Sequence, residues 1–439
     1  MRIEQGSTHE AVRRHNLSVV LRQLHLAGPL SRSELAMRTD LNRSTIKALV
    51  AQLGSLGLVR ESDADHRGTR GRPSPMVAVR SGRLVVLAVE IAVDFVTVAT
   101  VGLGGRIHAE QRIDLAHGAA VRPAVLVRQV RDVAAELVRP SQVIMGVGVA
   151  IVGLVRGEDG FVHIAPNLGW ADVPLGQLVA DELRVPTAVA GGSRAVIGPD
   201  VPVLVANEAD LGVLAEHARG AAQGFDNVLY LSGEVGIGGG VVVGGRRLTG
   251  ANGYAGELGH LPVNPDGRAC GCGGRGCWET EAGKRTFLRL AGHEQSERPE
   301  QPTDPVAHVV AAAKAGDPQA VRAAEEVGRW LGIGLAGLVN VFDPDRVVLG
   351  GMYGRAFDVF EAAVVEVLKT RALTPPTVEL VPAALGPESS LIGAAELAFE
   401  PLLADPDGVL TASLSARDGA ASARVESSPA PRTKGKRDG

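Results

Sequence analysis

All three cysteines of this 439-residue chain fall within eight positions, in the segment CGCGGRGCWE that runs from Cys270 to Glu279. Thiolates at Cys270, Cys272 and Cys277 are soft ligands, and a tetrahedral site needs a fourth donor. His260 stands ten residues upstream, in GELGHLPV. The set predicts a closed Cys3His zinc site with no open position, so the Zn2+ is structural rather than catalytic. Gly271, Gly273, Gly274 and Gly276 let the chain fold back around the ion. Such a clamp pins Glu257, His260 and Glu279 into one small region. Two carboxylates and an imidazole held together suit a polyol, because each carboxylate accepts several hydroxyl hydrogen bonds.

The elements that position these residues belong to a chain too long for one compact core, so two or three domains are expected. Aromatics are scarce at 3%, which leaves Val, Leu and Ala to fill the interior. An unpaired third cysteine and the lack of an apolar leader in MRIEQGSTHE predict a reduced, cytoplasmic protein. No apolar run reaches the ~18 residues a membrane span needs. The net charge is −4, but it is unevenly spread. Residues 1–80 carry 13 Lys+Arg against 7 Asp+Glu, and the remainder 32 against 42. A basic end on an acidic body is the asymmetry of an appended nucleic-acid module.

Residues 16–60 read as helices with short breaks. Leu17, Val20, Leu21 and Leu24 keep helical spacing until Gly28-Pro29. Ser31 and Glu34 form a capping box that predicts a helix start, and Asn42 or Ser44 caps the next helix. That helix has Ile46, Leu49, Val50 and Leu53 on one face and Arg43, Ser44, Thr45 and Lys47 at the start of the other. Donors at the start of a second helix can enter the major groove of duplex DNA. The stretches 57–61 and 76–80 read as strands of a wing. Its basic loop carries Arg70 and Arg72 toward phosphate or the minor groove.

From Leu84 short Val-rich strands alternate with helices, the pattern of α/β layers. Glycine-rich turns at 102–105, 236–240 and 350–351 are either phosphate cradles or ordinary tight turns.

On GELGH…CGCGGRGCWE, and on the winged helix in front of it, the chain resembles the ROK family of repressors, open reading frames and sugar kinases. The resemblance covers about 16–400. It implies an actin-like, ribonuclease-H-like pair of α/β lobes with a cleft between them. The expected divisions are a winged helix-turn-helix domain and linker at 1–80, a first lobe at 81–206 with a return of 391–403, a second lobe with the zinc site at 207–390, and a disordered tail at 404–439. The resemblance also implies that His260, Cys270, Cys272 and Cys277 hold zinc. It places Asn167, Asn207, Glu208, Glu257, His260 and Glu279 at the sugar pocket.

The kinase parts depart from the family's pattern. The first phosphate loop, Asp-X-Gly-Gly-Thr in ROK kinases, has Glu90 for the Asp and Ala92 and Val93 for the glycines. In the second, Glu234-Val235 replaces Gly-Thr. The base position of the Asn-Asp pair is Glu208, whose extra methylene displaces the carboxylate by about 1 Å. Phosphoryl transfer is expected to be lost. The expected function is a sugar-responsive repressor, a homodimer or homotetramer on double-stranded operator DNA, associated with the nucleoid when bound. The alternative is an ATP-dependent, glucokinase-like sugar kinase with a DNA-binding head.

Overall fold

The structure is a computed structural model that describes residues 9–62, 74–115, 121–189, 192–293, 304–373 and 378–411. The N-terminal head comprises α1 (His9–Ala27), β1 (Leu30–Ser31), α2 (Arg32–Thr39), α3 (Arg43–Ser55), β2 (Val59–Ser62) and β3 (Met76–Val79). The capping box forms as expected: Ser31 Oγ accepts from Glu34 N at 3.2 Å, and Glu34 Oε2 accepts from Ser31 N at 2.7 Å. Asn42 caps α3 by accepting from Thr45 N at 2.8 Å, while the Ser44 hydroxyl donates to Asn42 at 2.6 Å. The two predicted apolar stripes are buried in one core. β1 was not foreseen, since two residues carry no periodicity. It pairs with β3 to give the sheet order β1-β3-β2.

The next segment contains β4 (Leu84–Ile91), β5 (Phe95–Gly102), β6 (Arg106–Asp114), α4 (Pro123–Leu137), β7 (Val143–Ile151), β8 (Leu154–Arg156), β9 (Phe161–Ala165), β10 (Trp170–Val173), α5 (Leu175–Arg184), β11 (Thr187–Val189), β12 (Gly192–Arg194) and β13 (Val203–Asn207). Then follow α6 (Glu208–Arg219), β14 (Val228–Gly233), β15 (Ile237–Val243), β16 (Arg246–Arg247), α7 (Trp278–Ala282), α8 (Lys284–Leu290), α9 (Pro305–Lys314), α10 (Pro318–Phe342), β17 (Arg346–Gly350), α11 (Gly351–Arg355), α12 (Phe357–Arg371), β18 (Glu379–Pro382) and α13 (Ser389–Ala404).

Two five-stranded sheets share one topology. The first has the order β13-β7-β4-β5-β6 and the second β16-β15-β14-β17-β18. In each, the leading strand (β4 or β14) has an antiparallel meander on one side and parallel strands on the other. Parallel neighbours need helical crossovers, which accounts for the strand–helix alternation seen in the sequence. This repeated layout is the expected α/β, actin-like pair of lobes.

Helix α13 returns to the first sheet, where Ala394, Ala398 and Phe399 pack with Val86, Ala88 and Ala150. The same core continues into the head through Leu17, Leu21 and Leu24. Polar contacts reinforce the seam: Ser18 Oγ donates to Leu403 O at 2.6 Å, and Arg22 makes a two-pronged ion pair with Glu400 at 2.9 and 2.6 Å. The head is therefore fused to the body, not hung on a linker. One boundary is corrected. The chain was expected to lose structure from 404, but it continues helically over 406–411, because Leu410 buries against the head's core. The remainder of the expected tail, 412–439, lies outside the described residues.

Candidate metal and sugar site

The four predicted ligand atoms converge. One ring nitrogen of His260 and the sulfurs of Cys270, Cys272 and Cys277 all lie within 4.8 Å of one another. Cys270 Sγ is 3.6 Å from His260 Nδ1, and Cys272 Sγ is 3.6 Å from Cys277 Sγ. A tetrahedral site with metal–sulfur bonds of about 2.3 Å has sulfur–sulfur edges of about 3.8 Å, so the donor set fits such an ion. The glycines are not equivalent. Gly276 has φ +65°, and a Cβ there would lie 1.5 Å from Asn264 O, whereas a Cβ on Gly271 meets open space. The Trp beside the cysteines is an anchor. Trp278 is fully buried, and its indole N–H donates to Trp330 O on α10 at 2.9 Å. Packing thus fixes the metal loop to the second lobe's core.

Glu279 follows on α7, and Cys270 Sγ donates to its Oε1 at 3.0 Å. The same oxygen lies 3.7 Å from His260 Nδ1. Glu279 also faces the second glycine-rich turn, where a Cβ on Gly236 would come within 2.1 Å of its Oε2. Glu257 precedes the short turn Leu258–His260. Burial pushes its carboxyl up, His260 opposes the shift and Glu279 adds to it. Glu257, His260 and Glu279 therefore share one locality, as expected from the sequence.

Asn207 is largely committed to structure. Its Oδ1 accepts from Ala209 N at 2.8 Å, capping α6, and its Nδ2 donates to Gly153 O at 2.9 Å. Asn167 is exposed in the turn Pro166–Leu168, and no contact with the other predicted pocket residues is described for it. The sequence reading missed Asp210, one turn along α6 from Asn207. Its Oδ2 accepts from Arg247 Nη1 at 2.9 Å, while its buried Oδ1 has no hydrogen-bond partner among the described residues. Burial pushes Asp210 up to about 7, Arg247 opposing and Glu257 adding. Nothing local in the sequence set Asp210 apart from the other charged residues of α6, and nothing marked Arg247.

The replaced phosphate positions gather carboxylates. Glu90 is the penultimate residue of β4, and Ala92 and Val93 begin the turn into β5, where Ala92 N donates to Phe95 O at 3.0 Å. Glu234 and Val235 form the β14–β15 turn. A Cβ on Gly351 would come within 2.7 Å of Glu234 Oε1, so this carboxylate lies over the Gly350-Gly351 turn. Arg355 is its ion-pair partner at 3.5 Å. Burial pushes Glu208 up to about 8, with the charges of Glu234 and Glu90 adding. Glu90 is pushed up to about 7 by burial, against the pull of Arg112.

On the head, Arg43, Ser44 and Lys47 are exposed and Thr45 is half-buried at the N-terminus of α3. β2 and β3 form the wing's stem, steadied by an ion pair between Arg32 and Glu61. The wing tip with Arg70 and Arg72 lies outside the described residues. Among the described residues, no helix is long and apolar enough to cross a membrane.

The sequence model of the ROK family matches residues 86–196 and 199–400. The chain belongs to the ROK family. The winged head at 9–79 stands in front of this ROK body. A xylose repressor from Bacillus subtilis is 25% identical over 395 residues, covering 89% of this chain and 97% of that protein. A glucokinase from Streptomyces coelicolor is 32% identical over 283 residues, covering 61% of this chain and 84% of that one. Among solved structures, a ROK family transcriptional regulator, described as a homologue of the E. coli MLC protein, superposes with a TM-score of 0.71 at 26% identity, covering 92% of this chain and 98% of that one. Similarity to ROK repressors thus takes in the head, and similarity to the ROK glucokinase is confined to a smaller share.

Proposed function

We propose that this ROK protein is a sugar-responsive transcriptional repressor. Helix α3 enters the major groove of operator DNA with Arg43, Ser44, Thr45 and Lys47, and the wing adds Arg70 and Arg72. A sugar or sugar derivative binds at Glu257, His260 and Glu279, with Asn207, Glu208 and Asn167 at the rim. Zn2+ at His260, Cys270, Cys272 and Cys277 holds the loop that carries these groups and takes no part in chemistry. Paired heads in a homodimer or homotetramer read the two halves of an operator. The working location is the cytoplasm, at the nucleoid when DNA is bound.

The observation that carries this reading is the fusion of a winged helix-turn-helix to a ROK body in one continuous core, with the donor end of α3 left exposed. Ala92 and Val93 in place of the first loop's glycines, and Glu234 in place of a glycine in the second, support a non-catalytic body, since side chains block the approach of backbone N–H groups to phosphate and a new carboxylate repels it. Genome-wide mapping of bound DNA tests the reading. The expected result is a site upstream of the protein's own or neighbouring sugar genes; no binding to such DNA at moderate salt rules the repressor out.

A second reading, an ATP-dependent sugar kinase, is favoured by Glu208 at the base position and by the similarity to a glucokinase. Incubation with ATP, Mg2+ and a sugar panel decides it, and the absence of sugar-dependent ADP release ends it.

A further inference from the structure

The head is tied to the body by a buried cluster remote from the metal loop. His25, at the end of α1, is 0% exposed and Glu396 on α13 is 4% exposed. Gly104 N donates to His25 Nδ1 at 3.0 Å, and His25 Nε2 lies 2.9 Å from Glu396 Oε2 and 2.8 Å from Arg219 Nη2. Arg219 completes the cluster. Its Nε donates to Glu396 Oε1 at 2.6 Å, and its Nη1 donates to Gly104 O at 3.2 Å and to His25 O at 3.4 Å. The turn is shaped for this guanidinium: Gly105 has φ +75°, and a Cβ on it would lie 2.5 Å from Arg219 Cζ. The first glycine-rich turn thus seats an arginine.

Arg219 is the last residue of α6, whose other end carries Asn207, Glu208 and Asp210. Nine residues of α-helix, about 14 Å, separate Asp210 from Arg219. The helix is gripped on two sides. On the second sheet, a Cβ on Gly240 would come within 2.6 Å of Val213 Cγ1. On α13, a Cβ on Gly393 would come within 2.0 Å of Leu211 O. Packing this close leaves no slack for bending, so α6 moves as a body. The Glu216 carboxylate, also on α6, accepts from Ala384 N at 3.1 Å and Leu385 N at 2.9 Å, holding the approach to α13.

We propose that α6 is a rigid rod that carries a change at the cleft to the DNA-binding head, with Arg219 as the coupling that grips His25, Gly104 and Glu396. The proposal rests on the repressor reading for its purpose, though not for its test. A displacement of the second sheet drags α6, and Arg219 must then shift or release the end of α1. Packed interfaces of this kind switch between arrangements instead of deforming smoothly.

The test is hydrogen–deuterium exchange on the full chain, in four forms: wild type, Asp210→Asn, Arg219→Lys and the double variant. Asp210→Asn is expected to change exchange in the buried end of α1, residues 17–25, by at least about threefold. With Arg219→Lys present, the same substitution is expected to change it less than twofold. Lys keeps the charge beside Glu396 but loses the fork of donors. If Arg219→Lys does not fold, the pair Arg219→Gln with Glu396→Gln replaces it, leaving no uncompensated buried charge. The rod is overturned if Asp210→Asn leaves α1 unchanged, or alters it equally with and without Arg219. Because this experiment needs neither sugar nor DNA, its failure counts against the rod alone. Failure of D-glucose, D-xylose and N-acetyl-D-glucosamine to alter operator binding by the wild type would count against the repressor reading instead.

Discussion

The candidate metal site at one end of the cleft is built from the second lobe alone, whereas the phosphate end draws on both lobes, and the two are organised in opposite ways. At the first, three sulfurs and an imidazole converge and a buried Trp locks the loop, so Glu279 and His260 are held in place. At the second, Ala92, Val93 and Glu234 stand where glycines would cradle phosphate with bare backbone, the carboxyls of Glu90, Glu208 and Glu234 lie close enough to influence one another, and the Glu234 carboxylate covers the Gly350-Gly351 turn. Under the proposed repressor function, the first end recognises a neutral polyol, the second has lost phosphate binding, and the winged head is the output.

The sharpest way to break this comparison is to remove the metal. Cys272→Ser is expected to abolish bound zinc, read by elemental analysis, and to cost the second lobe at least about 3 kcal/mol, roughly 10 °C in Tm. Unchanged metal content would refute the ligand assignment. Arg43→Ala comes next. It should weaken operator binding about 10- to 100-fold by fluorescence anisotropy, the range of a lost base or phosphate contact, with sugar affinity unchanged. Coupled loss of both would mean misfolding, and the division between head and cleft would dissolve. At the phosphate end, wild type should release no ADP with any sugar. Glu234→Thr, which removes the anion over Gly351, should tighten fluorescent ATP-analogue binding by about tenfold, near 1.4 kcal/mol, without restoring turnover. Equal affinity would show that Glu234 does not guard the site.

The contrast between these ends also explains what could be read from sequence. The metal set was legible because its donors are types rarely spent elsewhere, packed into one short segment. The capping box at Ser31 and the stripes of α1 and α3 were legible because local periodicity decides them. Asp210 and Arg247 were not, because their meaning comes from a crossing between α6 and the second sheet that no local pattern encodes. The same holds for His25, Arg219 and Glu396, brought together from three distant stretches. The order over 406–411 was missed because its stability comes from burying Leu410 against the head, not from its own composition.

A further effect is expected on pH dependence, where the cleft carboxyls and the head seam differ in sign. Glu208 at about 8 and Glu90 at about 7 are pushed well above ordinary carboxylates, chiefly by burial. In the unfolded chain these groups ionise near their ordinary value of 4.5. Between that value and about 8 the native state holds more protons than the unfolded one, so stability falls as pH rises. Glu396 acts the other way. Burial works against its charge, but the His25 hydrogen bond and the Arg219 charge win and hold it below 4.5, so its contribution is lost only in acid. With Zn2+ bound as proposed, protonation of its thiolate ligands would likewise destabilise only toward acid. From pH 5 to 8.5 the raised carboxyls of Glu208, Glu90 and Asp210 therefore dominate, and Tm by calorimetry should fall as pH rises. Glu208→Gln, which cannot ionise, should flatten the slope and raise Tm at pH 8.5. A slope that is unchanged in Glu208→Gln would mean that water reaches this carboxyl freely, and that the phosphate end is less hostile to charge than its crowding of carboxylates implies.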